Sequence, residues 1–239
     1  TFDFTANKNS QLEEKQFKTS TLQDVSTYLF ESPSVDITED EEVYEAVVRM
    51  FSANVFRPLP PPLHKLTRSP YDPQDINEKE EEEEAKEPAW PHLELVYEIF
   101  LRFLSLMNIK TVFLKKHISH AFVLNLLAVF DTEDRRERDC AKLILHKIYT
   151  KLIKLRVFIR KQMIFTFQSF VFDMVQFNGI GELLEIFGSI VSGYQTPLTP
   201  EQVESLRKAI LPLHKPWSMS VYHPQLAYCI AQFLEKDTS

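Results

Sequence analysis

Apolar side chains recur at helical spacing through most of this chain. In the N-terminal third, one stripe is formed by Leu22, Val25, Tyr28 and Leu29, and a second by Val43, Val47, Val48, Phe51 and Val55. Before the second stripe, Asp40 is a plausible N-cap, and an acidic first turn follows it. Because residues three and four positions apart share one face of a helix, the pattern predicts amphipathic helices and no strands.

The helical pattern is also periodic. Helical hairpins are predicted to begin at Trp90, Asp134, Gly179 and His223, which are about 43 to 45 residues apart. HEAT and armadillo repeats have periods of roughly 40 to 47 residues. The sequence therefore predicts an all-α, HEAT/armadillo-like helical-repeat solenoid, in which stacked helix pairs line up their groove side chains along one surface.

Residues 57–89 interrupt the periodicity. Their first part is rich in proline, and residues 72–87 are charged with almost no apolar side chain, so a solvated loop is predicted there. We divide the chain into N-terminal helical repeats (1–56), the proline-rich and acidic loop inserted in the solenoid (57–89), and HEAT-like repeats (90–239), the last of them incomplete. Because the chain opens on Thr1 rather than Met, we expect both ends to continue in a longer protein.

Charge is distributed unevenly along the chain. Residues 72–87 contain nine acids and two lysines, a net charge of -7 that equals the net charge of the whole chain. Residues 140–172 contain no acid but seven lysines and arginines. One segment therefore attracts cations and another attracts anions. The acidic run is interpreted in three ways: as a loop that maintains solubility, as a mask over the basic repeat, or as a contact with a basic partner surface.

The basic segment contains a candidate binding site. His146 and Tyr149 are three residues apart on one helical face, and Arg156 and Arg160 are four apart on the next helix. Together they would line a cationic, partly aromatic trough, although a solvated helix face explains the neighbouring lysines equally well. The spacing alone leaves both interpretations open.

The next hairpin adds an apolar stripe formed by Leu183, Ile186 and Ile190. This stripe is either buried core or a set of small sockets for an apolar side chain. Gly188, inside the same helix, costs about 1 kcal/mol relative to alanine, which indicates a close approach to the helix. A cationic trough beside apolar sockets would suit a short peptide that carries both aliphatic and acidic residues.

Signatures of enzymes and metal sites are weak. His117 and His120 form a short His-x-x-His, but no acid or cysteine at ligand spacing accompanies them. No glycine precedes a Lys-Ser/Thr pair, and Ser189 and Ser192 lack the strand-to-helix elbow of a nucleophilic serine. We predict a protein that is not an enzyme and has neither a cofactor nor a metal.

The cellular environment is predicted from cysteines and hydropathy. Cys140 and Cys229 lie far apart inside helical patterns, which favours a reducing environment over a disulfide framework. The sequence has no apolar run of transmembrane length and no signal-peptide pattern at its N-terminus. We expect an intracellular protein, cytoplasmic or nuclear or both, without a membrane partner.

Several long strings of residues are specific to one family. They are residues 47–51 (VVRMF), 56–60 (FRPLP), 90–98 (WPHLELVYE), 155–162 (LRVFIRKQ), 178–186 (NGIGELLEI) and 220–229 (SVYHPQLAYC). These strings closely resemble the B-prime regulatory subunits of protein phosphatase 2A, and the resemblance extends through essentially the entire chain. Strings of this length are far more specific than repeat period or composition.

The resemblance implies a function and a site. It implies a HEAT-like superhelix that joins a scaffold subunit and a catalytic subunit in a heterotrimeric Ser/Thr phosphatase, and that recruits substrates through short Leu-x-x-Ile-x-Glu motifs. The motif-binding residues carried over are His146, Lys147, Tyr149, Arg156, Ile186 and Ile190. Further groove candidates are Lys142, Arg160 and Leu183. Candidates for a masking loop or for contact with the catalytic subunit are Glu80, Glu81, Glu82, Glu83 and Glu84.

This chain departs from the family pattern in three respects. Lys147 replaces the common arginine, which keeps the charge but loses the bidentate fork. The acidic loop is longer and more acidic than usual. The chain is also C-terminally truncated relative to the family, so we expect an uncovered last helix that promotes self-association. The uncovered residues would be Leu226, Ile230, Phe233 and Leu234.

Two alternatives to the regulatory subunit remain open. A basic-faced solenoid would also bind nucleic acid or a transport signal, and that binding would fall steeply with salt. A shortened chain that binds motifs without assembling with the phosphatase would compete with full-length relatives. Our prediction is the regulatory subunit, with no nucleic-acid partner.

Overall fold

A computed structural model describes residues 11–31, 37–59 and 86–236. All regular structure in these ranges is helical, which confirms the predicted all-α class. The α-helices are α1 (Leu12–Glu31), α2 (Glu41–Val55), α3 (Trp90–Ser105), α4 (Thr111–His117), α5 (His120–Val129), α6 (Arg135–Lys151), α7 (Arg156–Phe172), α8 (Ile180–Ser192), α9 (Pro200–Ser205) and α10 (Met219–Lys236). Two 3-10 turns (Ile153–Leu155 and Leu211–His214) and one π-helical segment (Leu206–Ile210) complete the chain path.

The helices form two layers, as expected for stacked helical repeats. Helices α3, α6, α8 and α10 pack side by side in one layer, while α5, α7 and the π-helical segment form the other. Helices α1 and α2 pack against α3 at the N-terminal end. The core runs between the layers and contains fully buried side chains from both of them, among them Phe100, Leu126, Ile144, Met163 and Phe187.

Three of the four predicted hairpin starts are confirmed. Helix α3 begins at Trp90 itself, and α6 begins after its N-cap Asp134, whose side chain accepts a hydrogen bond from the Arg136 backbone N–H. Helix α8 begins at Ile180, directly after Gly179. Upstream, Asp40 caps α2 by accepting from the Glu42 N–H at 2.9 Å, as predicted. Short polar N-caps therefore mark the starts of α2 and α6, whereas α3 and α8 begin without a side-chain cap.

The prediction for the last helix is wrong in two respects. Helix α10 begins at Met219 rather than near His223, and Pro224 lies inside it. The extra turn is held by Tyr222, whose hydroxyl donates to the Leu213 carbonyl oxygen at 3.0 Å. The predicted exposed stripe is also mostly covered, because α10 packs along α8 and buries Leu226 and Phe233 completely. The other members of that predicted stripe are the half-buried Ile230 and the exposed Leu234.

The close approach predicted at Gly188 comes from α10 of the same chain. A Cβ atom at this position would lie 2.5 Å from Cε1 of Tyr228 and 3.4 Å from Cα of Cys229. Glycine therefore lets the two helix backbones come near each other. Gly188 thus serves the packing of α8 on α10 within the fold.

A buried ionic cluster joins the two described ends of the acidic loop. Arg57 donates to both carboxylate oxygens of Glu137, at 2.7 and 3.0 Å, and to Glu87 at 2.7 Å. The Tyr97 hydroxyl donates to Glu137 at 3.0 Å, and the Glu87 N–H donates to Asp134 at 2.8 Å. Arg57, the first residue of the loop, and Glu87, near its end, are thereby fixed to the N-terminal end of α6. The predicted contact residues Glu80 to Glu84 lie outside the described residues.

Burial shapes the pKa values of this cluster. Desolvation lowers the pKa of Arg57, but the hydrogen bonds and charges of Glu137 and Glu87 outweigh it and raise the pKa above its usual range. Desolvation, reinforced by the charge of Glu137, raises the pKa of Tyr97 far above its ordinary value. Arg57 therefore stays charged and Tyr97 stays a hydrogen-bond donor, which keeps the buried Glu137 carboxylate satisfied.

Candidate functional site

The predicted groove residues come together from three neighbouring elements. His146, Lys147 and Tyr149 lie in the last two turns of α6, Arg156 and Arg160 lie at the start of α7, and the isoleucines lie on α8. The chain reverses between α6 and α7 through the 3-10 turn Ile153–Leu155. Leu152 and Leu155 are buried and anchor this turn to the core. The local fold therefore brings the C-terminal end of α6 next to the N-terminal end of α7.

Tyr149 is held between two guanidinium groups. Arg156 donates from Nε to the Tyr149 carbonyl oxygen at 2.8 Å and from Nη2 to the Thr150 carbonyl oxygen at 2.9 Å. These carbonyls belong to the last turn of α6, where helical partners are missing. The Arg156 guanidinium also lies 5.3 Å from the centre of the Tyr149 ring, and Arg160 Nη1 donates to the Tyr149 hydroxyl at 2.9 Å. The aromatic ring and both cations are thus positioned before any ligand binds.

His146 connects this cluster to α8. Its Nε2 lies 3.3 Å from the Ser189 hydroxyl oxygen, so α6 and α8 are bridged by a polar contact beside the isoleucines. Ser189 was considered from sequence only as a nucleophile, and its role as a partner of His146 was missed. Its position on α8 could have indicated this role, because Ser189 lies between Ile186 and Ile190, which are both predicted groove residues.

Tyr194 is a second residue that sequence reasoning missed. It follows α8, and its phenol interacts electrostatically with Arg160 and Tyr149. Desolvation raises the pKa of Tyr194 to about 12 even though Arg160 acts in the opposite direction. Tyr194 therefore stays neutral, and its ring packs edge-on against Phe233 of α10, with the ring centroids 6.4 Å apart.

The apolar stripe of α8 lies mostly in the core. Leu183 is 0% exposed, Ile186 2% and Ile190 6%. Leu183 therefore packs in the core and does not line the groove. Buried core was one of the two interpretations of this stripe that the sequence left open. Ile186 and Ile190 expose only a small part of their side chains. Their predicted role as a socket therefore requires a ligand side chain to contact that small exposed surface.

Lys142 is neutralised by acids of its own chain. Its Nζ donates to Asp139 at 2.9 Å and to Glu185 at 2.7 Å, and Gln225 of α10 also donates to Glu185 at 3.3 Å. Burial lowers the pKa of Lys142, but the hydrogen bonds that it donates to Glu185 and Asp139 outweigh burial and raise its pKa above the ordinary value. Lys142 therefore belongs to a polar ladder across α6, α8 and α10, and its place in the further groove stays a prediction.

The remaining cations of the basic segment are not neutralised in this way. They are Lys147, Lys151, Lys154, Arg156, Arg160 and Lys161, and none forms an ion pair with an acid among the described residues. Desolvation, followed by the charge of Lys147, lowers the pKa of Lys151. A surface on which like charges disfavour one another attracts anionic ligands.

The other candidate residues for chemistry have structural surroundings. His117 Nε2 lies 4.0 Å from a Glu41 oxygen, and the His120 ring packs on the Phe158 ring with the centroids 4.2 Å apart and the planes tilted by 30°. Within the described part of the chain, no three His, Cys, Asp or Glu side chains gather as a metal site. In the same part, no single helix is long and apolar enough to cross a membrane, and only the bent pair α4 and α5 together passes by length and composition.

Comparison with known proteins places this geometry in a family. The model of the protein phosphatase 2A regulatory B subunit (B56 family) matches residues 1–239. The chain is 48% identical over 238 residues to the human 56 kDa regulatory subunit delta isoform, covering 100% of the chain and 38% of that protein. It is 45% identical over 237 residues to the B' alpha isoform of the 57 kDa regulatory subunit from Arabidopsis thaliana, covering 99% of the chain and 46% of that protein.

A fungal relative shows the same relationship. The delta isoform of Saccharomyces cerevisiae is 44% identical over 236 residues, which cover 99% of the chain and 30% of that relative. The chain thus spans less than half the length of each of these relatives. They are named as regulatory subunits of the phosphatase rather than as catalytic ones. The resemblance drawn from the sequence is confirmed: the chain belongs to the B56 family of protein phosphatase 2A regulatory B subunits.

Proposed function

We propose that this chain is a non-catalytic regulatory subunit of protein phosphatase 2A that recruits substrates carrying Leu-x-x-Ile-x-Glu motifs. The observation that supports it most is the prepositioned cluster of Tyr149, Arg156 and Arg160, beside His146, on a segment in which the cations other than Lys142 form no ion pair with a described acid. Such a cluster suits a ligand that carries both aliphatic and acidic side chains.

Each part of the motif has a proposed counterpart. The aliphatic groups of the peptide pack on the Tyr149 ring, and the motif isoleucine contacts the exposed edges of Ile186 and Ile190. The anionic groups meet His146, Lys147 and Arg156. Because lysine offers a point charge instead of a planar fork, Lys147 holds a carboxylate with less directional preference than an arginine would.

The partners follow from the family. Relatives bear the names of phosphatase 2A subunits, and we propose that a scaffold subunit and a catalytic subunit assemble with this protein. The proposed location is intracellular, cytoplasmic or nuclear. Both cysteines have free thiols, and desolvation raises the pKa of buried Cys229 to about 12, which keeps it protonated and inert in that environment.

Reversing the charge of Arg156 tests the groove. Arg156→Glu should weaken binding of a labelled motif peptide by more than about fivefold, or more than about 1 kcal/mol, because the guanidinium would meet the anionic groups of the peptide and also holds the end of α6. Fluorescence anisotropy at physiological salt measures the effect. The control is Lys154→Glu, which makes the same charge change at an exposed position two residues away. Equal losses in the two variants would indicate general electrostatic attraction and no defined groove.

The second candidate function is binding of nucleic acid by the same cations. It is favoured by the six lysines and arginines without acidic partners, since cation count governs binding to phosphate backbones. The two functions differ in their response to salt and to ligand sequence. Nucleic-acid binding would fall steeply with salt and tolerate sequence changes, whereas motif recruitment depends on the Leu and Ile of the peptide.

The masking interpretation of the acidic loop yields a separate prediction. Deleting residues 72–85 should raise the affinity for the motif peptide about fivefold at low salt, because a tethered acidic segment competes for the cationic groove. The deletion ends before Glu87, since that residue holds Arg57 and Asp134. Repeating the titration at high salt provides the control, because screening should abolish the gain. An unchanged affinity at low salt would leave the loop as a solubilising segment or a partner contact.

A further inference from the structure

Helix α7 is apolar on two opposite faces. Its inner face, formed by Ile159, Met163 and Phe167, is fully buried in the core. Its outer face presents Val157 at 50% exposure, Phe165 at 64% and Phe172 at 57%. A helix that packs against one layer only normally has a polar outer face, and apolar side chains all round indicate burial on both sides. Within the described residues, only the C-terminal end of this outer face is flanked by another element, the segment that follows α9.

Cations surround the C-terminal half of this outer face. An open pocket of about 520 Å³ lies between α7 and the segment that follows α9. Phe165 and Phe172 line one wall, and Arg207, Lys208 and Lys215 line the other. The Lys215 ammonium lies 5.7 Å from the centre of the Phe172 ring. Lys208 is paired with Glu204, and Asp173 is the single acid among the lining residues, so the rim is net positive through Arg207 and Lys215.

The backbone around the pocket is irregular. Arg207 and Lys208 lie in the π-helical segment Leu206–Ile210, in which the Leu211 N–H donates to the Leu206 carbonyl oxygen. Pro212, which has no N–H, follows directly and prevents a regular α-helical continuation. Segments of π-helix occur frequently at functional sites.

The loop after α7 adds a second irregularity. Met174 has φ of 52°, a left-handed conformation that glycine adopts at lower cost, and its side chain is 86% exposed. Trp217, two residues after Lys215, is also largely exposed. Met174 thus presents an apolar side chain to solvent from a disfavoured backbone conformation. Such a combination is typical of binding surfaces.

We infer that the outer face of α7 and this pocket form a docking surface for an acidic amphipathic segment of a partner protein. Leucine or phenylalanine side chains of the partner enter between Phe165 and Phe172, and its carboxylates meet Arg207 and Lys215. The charge of the rim selects an acidic partner over a basic one. This surface is separate from the motif groove, because Arg156 and Arg160 turn toward Tyr149 while Phe165 and Phe172 lie on another side of α7.

Selection from a random peptide display library tests this inference, because it does not require the partner to be identified first. The library is selected on the wild-type chain and depleted on a Phe165→Ser/Phe172→Ser double variant. Because both side chains are more than half exposed, the double variant should keep its circular dichroism spectrum and Tm. A Met107→Ser variant, which removes another exposed apolar side chain, serves as the control.

We expect the selected peptides to be acidic and to carry at least two large apolar residues. Their affinity, measured by fluorescence anisotropy, should fall about tenfold or more with the double variant and with Arg207→Glu, and should be unchanged with Met107→Ser. Three results would each overturn the inference. The first is a selection in which no peptide distinguishes wild type from the double variant. The second is a selection that enriches basic peptides. The third is a sedimentation experiment that shows the face occupied by a second copy of this chain.

Discussion

Replacing Arg57 by alanine should lower the free energy of unfolding by about 3 to 5 kcal/mol. Arg57 is the cationic partner of Glu137, whose carboxylate has no exposed surface and receives both of its guanidinium hydrogen bonds at 3.0 Å or less. Removal of the guanidinium would leave a buried charge with only the Tyr97 hydroxyl to satisfy it. Urea unfolding followed by circular dichroism measures the loss.

The matched control is Arg102→Ala. Arg102 also forms an ion pair, with Glu98 at 3.7 Å, but both side chains are largely exposed to water. Exposed pairs contribute little, so this variant should change the free energy of unfolding by no more than about 1 kcal/mol. If Arg57→Ala were as mild as Arg102→Ala, the Arg57–Glu137 pair would contribute little to stability, and the cluster would not fix the ends of the acidic loop to α6.

Replacing Gly179 by alanine should be the second most damaging change, with a loss of about 2 to 3 kcal/mol. A Cβ atom at this position would lie 2.6 Å from both Cβ and the carbonyl oxygen of Phe130. Phe130 is fully buried, so its backbone cannot move away without disturbing the packing between α5 and the start of α8. The contact concerns backbone atoms, which a rotamer change does not relieve. Thermal and urea unfolding would both report the loss.

Gly181 provides an internal comparison two residues along the chain. A Cβ atom there would meet Tyr222 at 3.7 Å and Gln225 at 3.8 Å, which are ordinary contacts. Gly181→Ala should therefore be neutral or should stabilise the protein by up to about 1 kcal/mol, because alanine is the better helix former. Similar losses for the two alanine variants would show that helix-start geometry, and not the approach of Phe130, determines the need for glycine.

Sequence periodicity predicted the fold well where local signals agree. The starts of α2 and α6 followed from Asp40 and Asp134, short side chains that satisfy a free N–H and whose effect is local. The start of α10 could not be read in the same way. The pattern placed this start at His223, but the helix begins one turn earlier, at Met219, where the Tyr222 hydroxyl donates to the carbonyl oxygen of Leu213 in the preceding 3-10 turn.

The candidate site shows a similar limit. Lys142 and Arg160 are equivalent by charge and by segment, yet Lys142 is neutralised by Glu185, which lies on a helix 43 residues away. Arg160 instead contacts Tyr149, a partner within the segment that the charge pattern had already singled out. Helical spacing also cannot tell a core stripe from a socket, and the near-complete burial of Leu183 depends on packing between neighbouring elements. Local patterns therefore identified the cluster, while long-range contacts determined its members.

The most direct test of motif recruitment is titration of a labelled Leu-x-x-Ile-x-Glu peptide by fluorescence anisotropy at physiological salt. We predict a Kd in roughly the micromolar range, about -8 kcal/mol, that is lost when the Leu and Ile of the peptide are replaced by alanine. Circular dichroism of the same sample verifies that the protein is folded. Absence of binding by a folded sample, or equal binding of the alanine peptide, would contradict the recruiting role assigned to Tyr149, Arg156 and their neighbours.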